Sequence, residues 1–245
     1  MRHLLTMALL GACLAGCASR NPDPYEGVNR KIDNVNNAID RAVVRDVARA
    51  YEKNVPEPVR DGVDNFFNNL GYLNVILNDH LQGRFAQGWR NTGRMAMNTL
   101  VGVGGVFDVA ERNGLPRERN DFGITLGKWG VRSGPYLVLP LLGPSSARDV
   151  PGLVVARVTN PMFWLNPPME VSLPATALSV VDQRARLQPQ IEVRDRAALD
   201  PYTFTRDVYL KWRSAQVGEN TADERDPFEE EEPLQSTPNA TDYLR

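Results

Sequence analysis

Histidine and cysteine are almost missing from this 245-residue chain, which has two of each: His3 and His80, Cys13 and Cys17. Three of these four fall at the N-terminus, so the remaining chain has no set of His or Cys ligands for a zinc site, no pair for a disulfide and no thiol nucleophile. A Ser-His-Asp triad would rest wholly on His80, which lies in the polar stretch Asn78–Gln82 and reads as a surface or capping residue. No cofactor is expected. A large excess of positive charge is also missing: the formal net charge of −2 excludes the basic balance of a nucleic-acid binder. Finally, no apolar run reaches the roughly 20 residues that a bilayer-spanning helix needs.

What is present begins with an address. Arg2 and His3 precede the short apolar run Leu4–Leu10, the pattern of a secretory signal peptide. The run ends in Leu14–Ala15–Gly16–Cys17, which is similar to the bacterial lipobox. Residues 1–16 are therefore expected to be removed and Cys17 to carry lipid on its sulfur and amine, with 17–22 as linker. Several acyl chains on one residue anchor firmly, because each buried methylene contributes about 0.8 kcal/mol. Ala18 stands where an Asp would favour inner-membrane retention, so the outer membrane is the expected destination.

The body is patterned for helices. Ile32, Val35, Ile39, Val43, Val47 and Tyr51 recur mostly four apart, with Arg41, Arg45 and Arg49 on another face. Pro56 and Pro58 interrupt the pattern, which Val59, Val63, Phe66, Leu70, Leu73 and Leu77 resume across Asn-rich sequence. A third helix after Gly83 sets Phe85, Trp89, Met95 and Leu100 against Arg84, Arg90 and Arg94. Charge-free stretches follow at Met95–Phe107, Ser133–Ala147, Val158–Met169 and Val171–Val181. Ten helical residues measure about 15 Å, half the hydrocarbon thickness, so each stretch suits one leaflet or the dry core of a helical protein. Four of them beside a lipid anchor favour the leaflet. In Ser133–Pro144, Pro135, Pro140 and Pro144 stand among large apolar residues and predict a hairpin or extended loop. Arg predominates over Lys from Cys17 to Val217, where the net charge is positive; guanidinium forks suit phosphate headgroups, although each Arg taken singly reads as a surface ion pair. Residues 214–245, acidic from Glu219 to Glu232, read as a disordered tail.

Two motifs fail. Gly102–Val103–Gly104–Gly105–Val106–Phe107 has Phe107 in place of the third Gly of a dinucleotide fingerprint and no strand before it. Gly143–Pro144–Ser145–Ser146–Ala147 approaches a nucleophile elbow but ends in Ala147, leaving a Ser145–Asp149 dyad as the only enzymatic alternative, a lipoprotein phospholipase. A structural lipoprotein that braces a porin is the other alternative.

Several segments together resemble the MlaA (VacJ) family of outer-membrane lipoproteins. They are Asp23–Arg30, Val55–Gly62, Leu81–Gly83, Asn98–Ala110, Asp121–Val131, Gly134–Pro140 and Asp200–Tyr202. The resemblance covers about 23–213. It implies a mainly α, single ring-like helical domain embedded in one membrane leaflet, with a Pro/Gly-rich hairpin. It further implies removal of misplaced phospholipid from the outer leaflet through an amphipathic channel, association with a trimeric porin of the OmpC/OmpF kind, delivery to the periplasmic carrier MlaC, and no catalysis. Carried onto this sequence, Gly102, Gly104, Gly105 and Phe107 become candidate channel wall. Gly130, Gly134, Pro135, Tyr136, Leu137, Leu139 and Pro140 become a movable hairpin, with Gly130 and Gly134 as its hinges. Asn34 and Val35 occupy the family's polar–aromatic pair, Val35 replacing the aromatic residue.

Overall fold

A computed structural model describes residues 23–218. The signal segment, Cys17 and the acidic stretch 219–245 lie outside the described residues. Helix α1 (Glu26–Ile39) runs through a π-helical turn at Asp40–Val44 into α2 (Arg45–Asn54). Val55 then turns extended, as a residue before proline must. Pro56 ends the first rod, whereas Pro58 is accommodated in the first turn of α3 (Glu57–Leu81), where its missing N–H has no helical partner to lose. Gly83, at φ +73°, turns the chain into α4 (Phe85–Leu100).

Beyond a glycine loop come two short helices, α5 (Val109–Arg112) and α6 (Phe122–Lys128), each begun by an Asp whose carboxylate accepts a first-turn N–H: Asp108 from Glu111 and Asp121 from Ile124. The proline-rich stretch then forms the expected hairpin, with β1 (Tyr136–Leu139) antiparallel to β2 (Gly143–Ser146) in the register Leu137 opposite Ser145. Helices α7 (Val150–Thr159), α8 (Pro161–Leu165), α9 (Met169–Arg186), α10 (Gln188–Ala197) and α11 (Pro201–Val217) complete the described chain. Helix α11 continues past the boundary expected at Arg213, and Val217 is buried, so Ser214–Val217 belong to the folded body and not to the tail.

The elements close into a circuit. Helix α1 lies on β1, β2 on α11, α11 on α6, α6 on α3, α3 on α9, and α9 on α2, which continues α1. A circuit of this kind has little interior to fill, and the burial pattern is inverted accordingly. Among the described residues, more polar and charged side chains than apolar ones are buried, while large apolar residues are exposed on almost every helix. The stripe Val28, Val35, Ile39, Val43 and Val47 faces outward along α1 and α2.

Helices α3 and α4 show why. They approach through small and amide positions, with Asn69 donating to Thr99 (2.9 Å), Asn91 donating to Asp79 (2.6 Å) and Gly88 against His80, leaving Leu73, Leu77, Phe85, Trp89 and Leu100 exposed. Gly88 is needed for this approach, because a Cβ there would enter the His80 ring. The expected polarity of α4 is thus reversed at Arg94, which is buried beside Asn91 and Asn98 while Phe85, Trp89 and Leu100 are exposed. No described helix is long and apolar enough to cross a membrane.

Candidate functional site: a clamped hairpin, a glycine loop and an apolar exterior

The outer edge of β1 is pinned to α1 by two asparagines two helical turns apart. Asn29 donates to the Tyr136 carbonyl (3.0 Å) and accepts from the Val138 N–H (3.0 Å); Asn36 donates to the Leu139 carbonyl (2.9 Å) and accepts from the Leu141 N–H (2.8 Å). Each amide does what a neighbouring strand would do, offering one donor and one acceptor to an open edge. Asn29 also donates to Asp23 (2.8 Å), which accepts from the Tyr202 hydroxyl. Arg30 binds Asp200 (2.5 Å) and lies over the Tyr202 ring at 4.3 Å. The first and last motifs of the sequence therefore meet at the hairpin.

Of the hairpin candidates, Tyr136 is a core residue: it is 1% exposed and packs edge-on to Tyr202 and Tyr209, both at 6.1 Å. Its ring thus fastens this end of the hairpin to α11. Pro135, Leu137 and Leu139 are half-buried, Pro140 is exposed, and the tip residues Leu141 and Leu142 project outward. Gly130 and Gly134 hold φ of +89° and +68°, the left-handed region that favours glycine. Gly130 also ends α6: its N–H reaches the Gly127 carbonyl and that of Val131 the Leu126 carbonyl, both at 2.9 Å, the paired bonds of a glycine cap. Asn34 and Val35 are exposed, and the hairpin is gripped by Asn36 instead. The sequence reading passed over Asn36; the signal was its seven-residue spacing from Asn29 on one helix face.

Beneath the hairpin lies a buried ion cluster. Arg213 places Nη1 at 2.7 Å and Nη2 at 2.9 Å from the Asp121 oxygens, and Nε at 3.0 Å and Nη2 at 2.7 Å from those of Asp149. The Tyr209 hydroxyl donates to Asp149 at 2.6 Å. One guanidinium thus ties α11 to the start of α6 and the start of α7. Gly123 makes room for it, since a Cβ there would collide with Asp149 and Arg213.

Burial alone would raise the Asp149 pKa, but the bonds from Arg213 and Tyr209 outweigh it and hold the carboxyl below its ordinary 3.8. Because the folded value is the lower one, the stabilisation is complete above the unfolded value and is lost as pH falls below it through the folded value. Asp149→Asn is therefore expected to flatten the acid limb of the urea-midpoint curve below about pH 4, as read by circular dichroism; an unchanged limb would remove Asp149 from this role. The same cluster bears on the Ser145–Asp149 dyad. Both carboxylate oxygens of Asp149 are engaged by Arg213 and Tyr209, and Ser145 is buried in β2, so Asp149 is not presented to Ser145 as a base.

The glycine loop follows α4. Gly102 and Gly105 are buried, and Val103, Gly104 and Gly105 take φ of 55°, 70° and 96°. A Cβ at Gly102 would run into the Phe107 and Asn98 carbonyls, and one at Gly105 would stand 2.5 Å from the Asn69 Cβ. Both glycines are thus close-approach positions against backbone and α3. Asn65 and Asn69 of α3 donate to the Val106 and Gly104 carbonyls, and Arg94, Asn98 and Asp108 bind one another beneath. Val103 and Phe107 are exposed. The loop is held by α3 and the hairpin by α1 and α11.

The exterior is the third feature. All four tryptophans are exposed, Trp89 and Trp164 by 69% and 73%. Trp129 and Trp164 spend their indole N–H groups on backbone carbonyls of Leu81 (3.2 Å) and Val158 (2.7 Å), which fixes the rings on the surface. Many arginines are spent on ion pairs, such as Arg117 with Asp64 (2.7 Å) and Arg184 with Asp40 (2.6 Å).

Comparison with known proteins gives one answer. The family profile described as MlaA lipoprotein matches residues 21–216. The intermembrane phospholipid transport system lipoproteins MlaA of Shigella flexneri and Escherichia coli are each 37% identical over 219 residues, covering 85% of this chain and 86% of theirs. A solved structure described as the structural basis for maintenance of bacterial outer membrane lipid asymmetry superposes with a TM-score of 0.69 at 34% identity, over 80% of this chain and 98% of the other. With its first and last motifs meeting at one hairpin and its whole folded body matched in sequence and shape, the chain belongs to the MlaA lipoprotein family.

Proposed function

We propose that this protein is an outer-membrane lipoprotein, anchored through Cys17, whose ring sits in the inner leaflet and moves phospholipids misplaced in the outer leaflet toward the periplasm. The observation that carries this reading is the inverted burial: amides and ion pairs inside, valine, leucine and four tryptophans outside. In water an apolar surface this extensive is costly; against acyl chains it costs nothing, and tryptophan favours the interface. A headgroup resists entry into hydrocarbon, so moving it across the leaflet needs a polar passage through the ring. Lowering that barrier needs no covalent step.

Gly102, Gly104, Gly105 and Phe107 are proposed as part of the wall of this path. The segment from Gly130 and Gly134 through Pro135, Leu137, Leu139 and Pro140 is proposed as its adjustable side, anchored at Tyr136. A trimeric porin is the proposed membrane partner and an MlaC-type soluble carrier the proposed recipient. Deleting the gene is expected to raise outer-leaflet phospholipid, and the intact gene to restore it. Gly130→Pro, which removes both the left-handed turn and the N–H that caps α6, is expected to fail in that restoration while the protein stays in the membrane fraction. Normal outer-leaflet phospholipid in the deletion strain would refute transport. Full restoration by Gly130→Pro would refute only the hairpin's part in it.

A further inference from the structure

A groove of about 490 Å³ opens on the surface between α3, α7 and α8, lined by Leu73, Leu77, Val158, Pro161, Trp164 and Leu165. Its size lies in the roughly 300–1,000 Å³ range of small-molecule sites. Its polar groups are already committed. The Thr159 hydroxyl donates to the Val155 carbonyl (2.8 Å), the Trp164 indole to the Val158 carbonyl (2.7 Å), and the Asn160 side chain caps α8 by accepting from Met162 (2.9 Å). Nothing in the lining is left to recognise a sugar, a nucleotide or a peptide backbone, so a bound molecule must present plain hydrocarbon there.

The chemistry changes at the end of α7. Arg157, next to Val158, lies over the Phe163 ring at 5.5 Å, and Phe163 packs edge-on to Trp164 at 5.1 Å. Arg157 is exposed and, like Arg41, Arg90 and Arg132, forms no ion pair among the described residues; what sets it apart is its place over Phe163 beside the groove. It sits at a helix C-terminus, where a cation is favoured but an anion is not bound by the helix itself. A fixed, unpaired guanidinium beside a dry groove complements one ligand class: an anionic phosphate ester joined to an alkyl chain.

We infer that this groove is a lipid-binding site on the surface, taking one acyl chain of a phospholipid against Leu77 and Trp164 while Arg157 holds the phosphate. The site goes beyond the transport reading and is independent of the hairpin, so Gly130→Pro leaves it unchanged.

The test uses the full chain, purified in detergent, with Trp89, Trp129 and Trp212 changed to Phe so that Trp164 alone reports. Titration with phosphatidylglycerol brominated on its acyl chain is expected to quench Trp164 saturably. A matched form keeping only Trp89 is expected to show weak, non-saturating quenching. Arg157→Gln, on an exposed side chain whose one contact in the fold is the Phe163 ring, is expected to weaken binding about fivefold or more, and Arg157→Lys by less. Leu77→Asp is expected to abolish saturation. A brominated alkane lacking the phosphate should bind more weakly and ignore Arg157→Gln. Equal, non-saturating quenching of Trp164 and Trp89 would overturn the site, as would saturable quenching unmoved by either Arg157→Gln or Leu77→Asp. Shielding of Trp164 by an added porin but not by lipid would equally overturn it, assigning the groove to a protein.

Discussion

Arg213→Met is expected to lower the unfolding free energy by about 3–5 kcal/mol, because it leaves two carboxylates, Asp121 and Asp149, facing each other without their shared cation. For a body of this size that corresponds to a fall of roughly 10 °C in the melting temperature. Asp149 is 8% exposed and gains little water in place of the lost bonds, whereas the partly exposed Asp121 regains some hydration, which sets the loss toward the lower end of that range. Arg213→Lys is expected to recover little of the loss. A single ammonium cannot reach both carboxylates in the four-contact arrangement of the guanidinium fork. Urea and thermal unfolding followed by circular dichroism in mild detergent give the measurement. A change below about 1 kcal/mol for Arg213→Met would show that the cluster contributes no net stability, the break-even outcome that buried ion pairs sometimes give when their desolvation is counted.

The second large effect is at Asn29. Asn29→Leu keeps the approximate volume but removes three hydrogen bonds at once, to Asp23, the Tyr136 carbonyl and the Val138 N–H. An unmet buried donor or acceptor costs about 1–3 kcal/mol, so a loss of about 3 kcal/mol or more is expected. Its signature is local as well as global. The Val138 amide should lose hydrogen-exchange protection before the amides of α3 do, because the edge of β1 is left open. Asn36→Ala, at a half-buried position, should cost less and expose the Leu141 amide selectively. If both variants left the hairpin amides as protected as before, the pairing with β2 alone would be sufficient to hold it.

Much of the fold was legible in the residues. The four-residue recurrence from Ile32 to Tyr51 became α1, its π-turn and α2, and the Asn-rich stretch became α3. Three prolines among apolar residues became a hairpin for the reason given by their missing N–H groups. The candidate site was legible in part. Gly102, Gly105, Gly130 and Gly134 are positions where a side chain collides or the backbone turns left-handed. The burial of Tyr136 was not legible, because its neighbours in sequence are half-buried, whereas its ring is covered by Tyr202 and Tyr209 of α11, some seventy residues later in the chain. The seven-residue spacing of Asn36 from Asn29 marks a shared helix face, but not the strand more than a hundred residues away that this face meets.

Composition and periodicity by themselves determined that the chain is helical and that its apolar stretches are too short to cross a bilayer. They also gave each helix two faces. Only the tertiary structure decided which face is which, placing Arg94, Arg213 and the asparagines inside and Trp89 and Trp164 outside. Periodicity is unchanged by turning a helix half a turn about its axis, so it records a division into faces and not their direction. That direction follows from what the neighbouring helices offer, and here they offer amides, carboxylates and glycines.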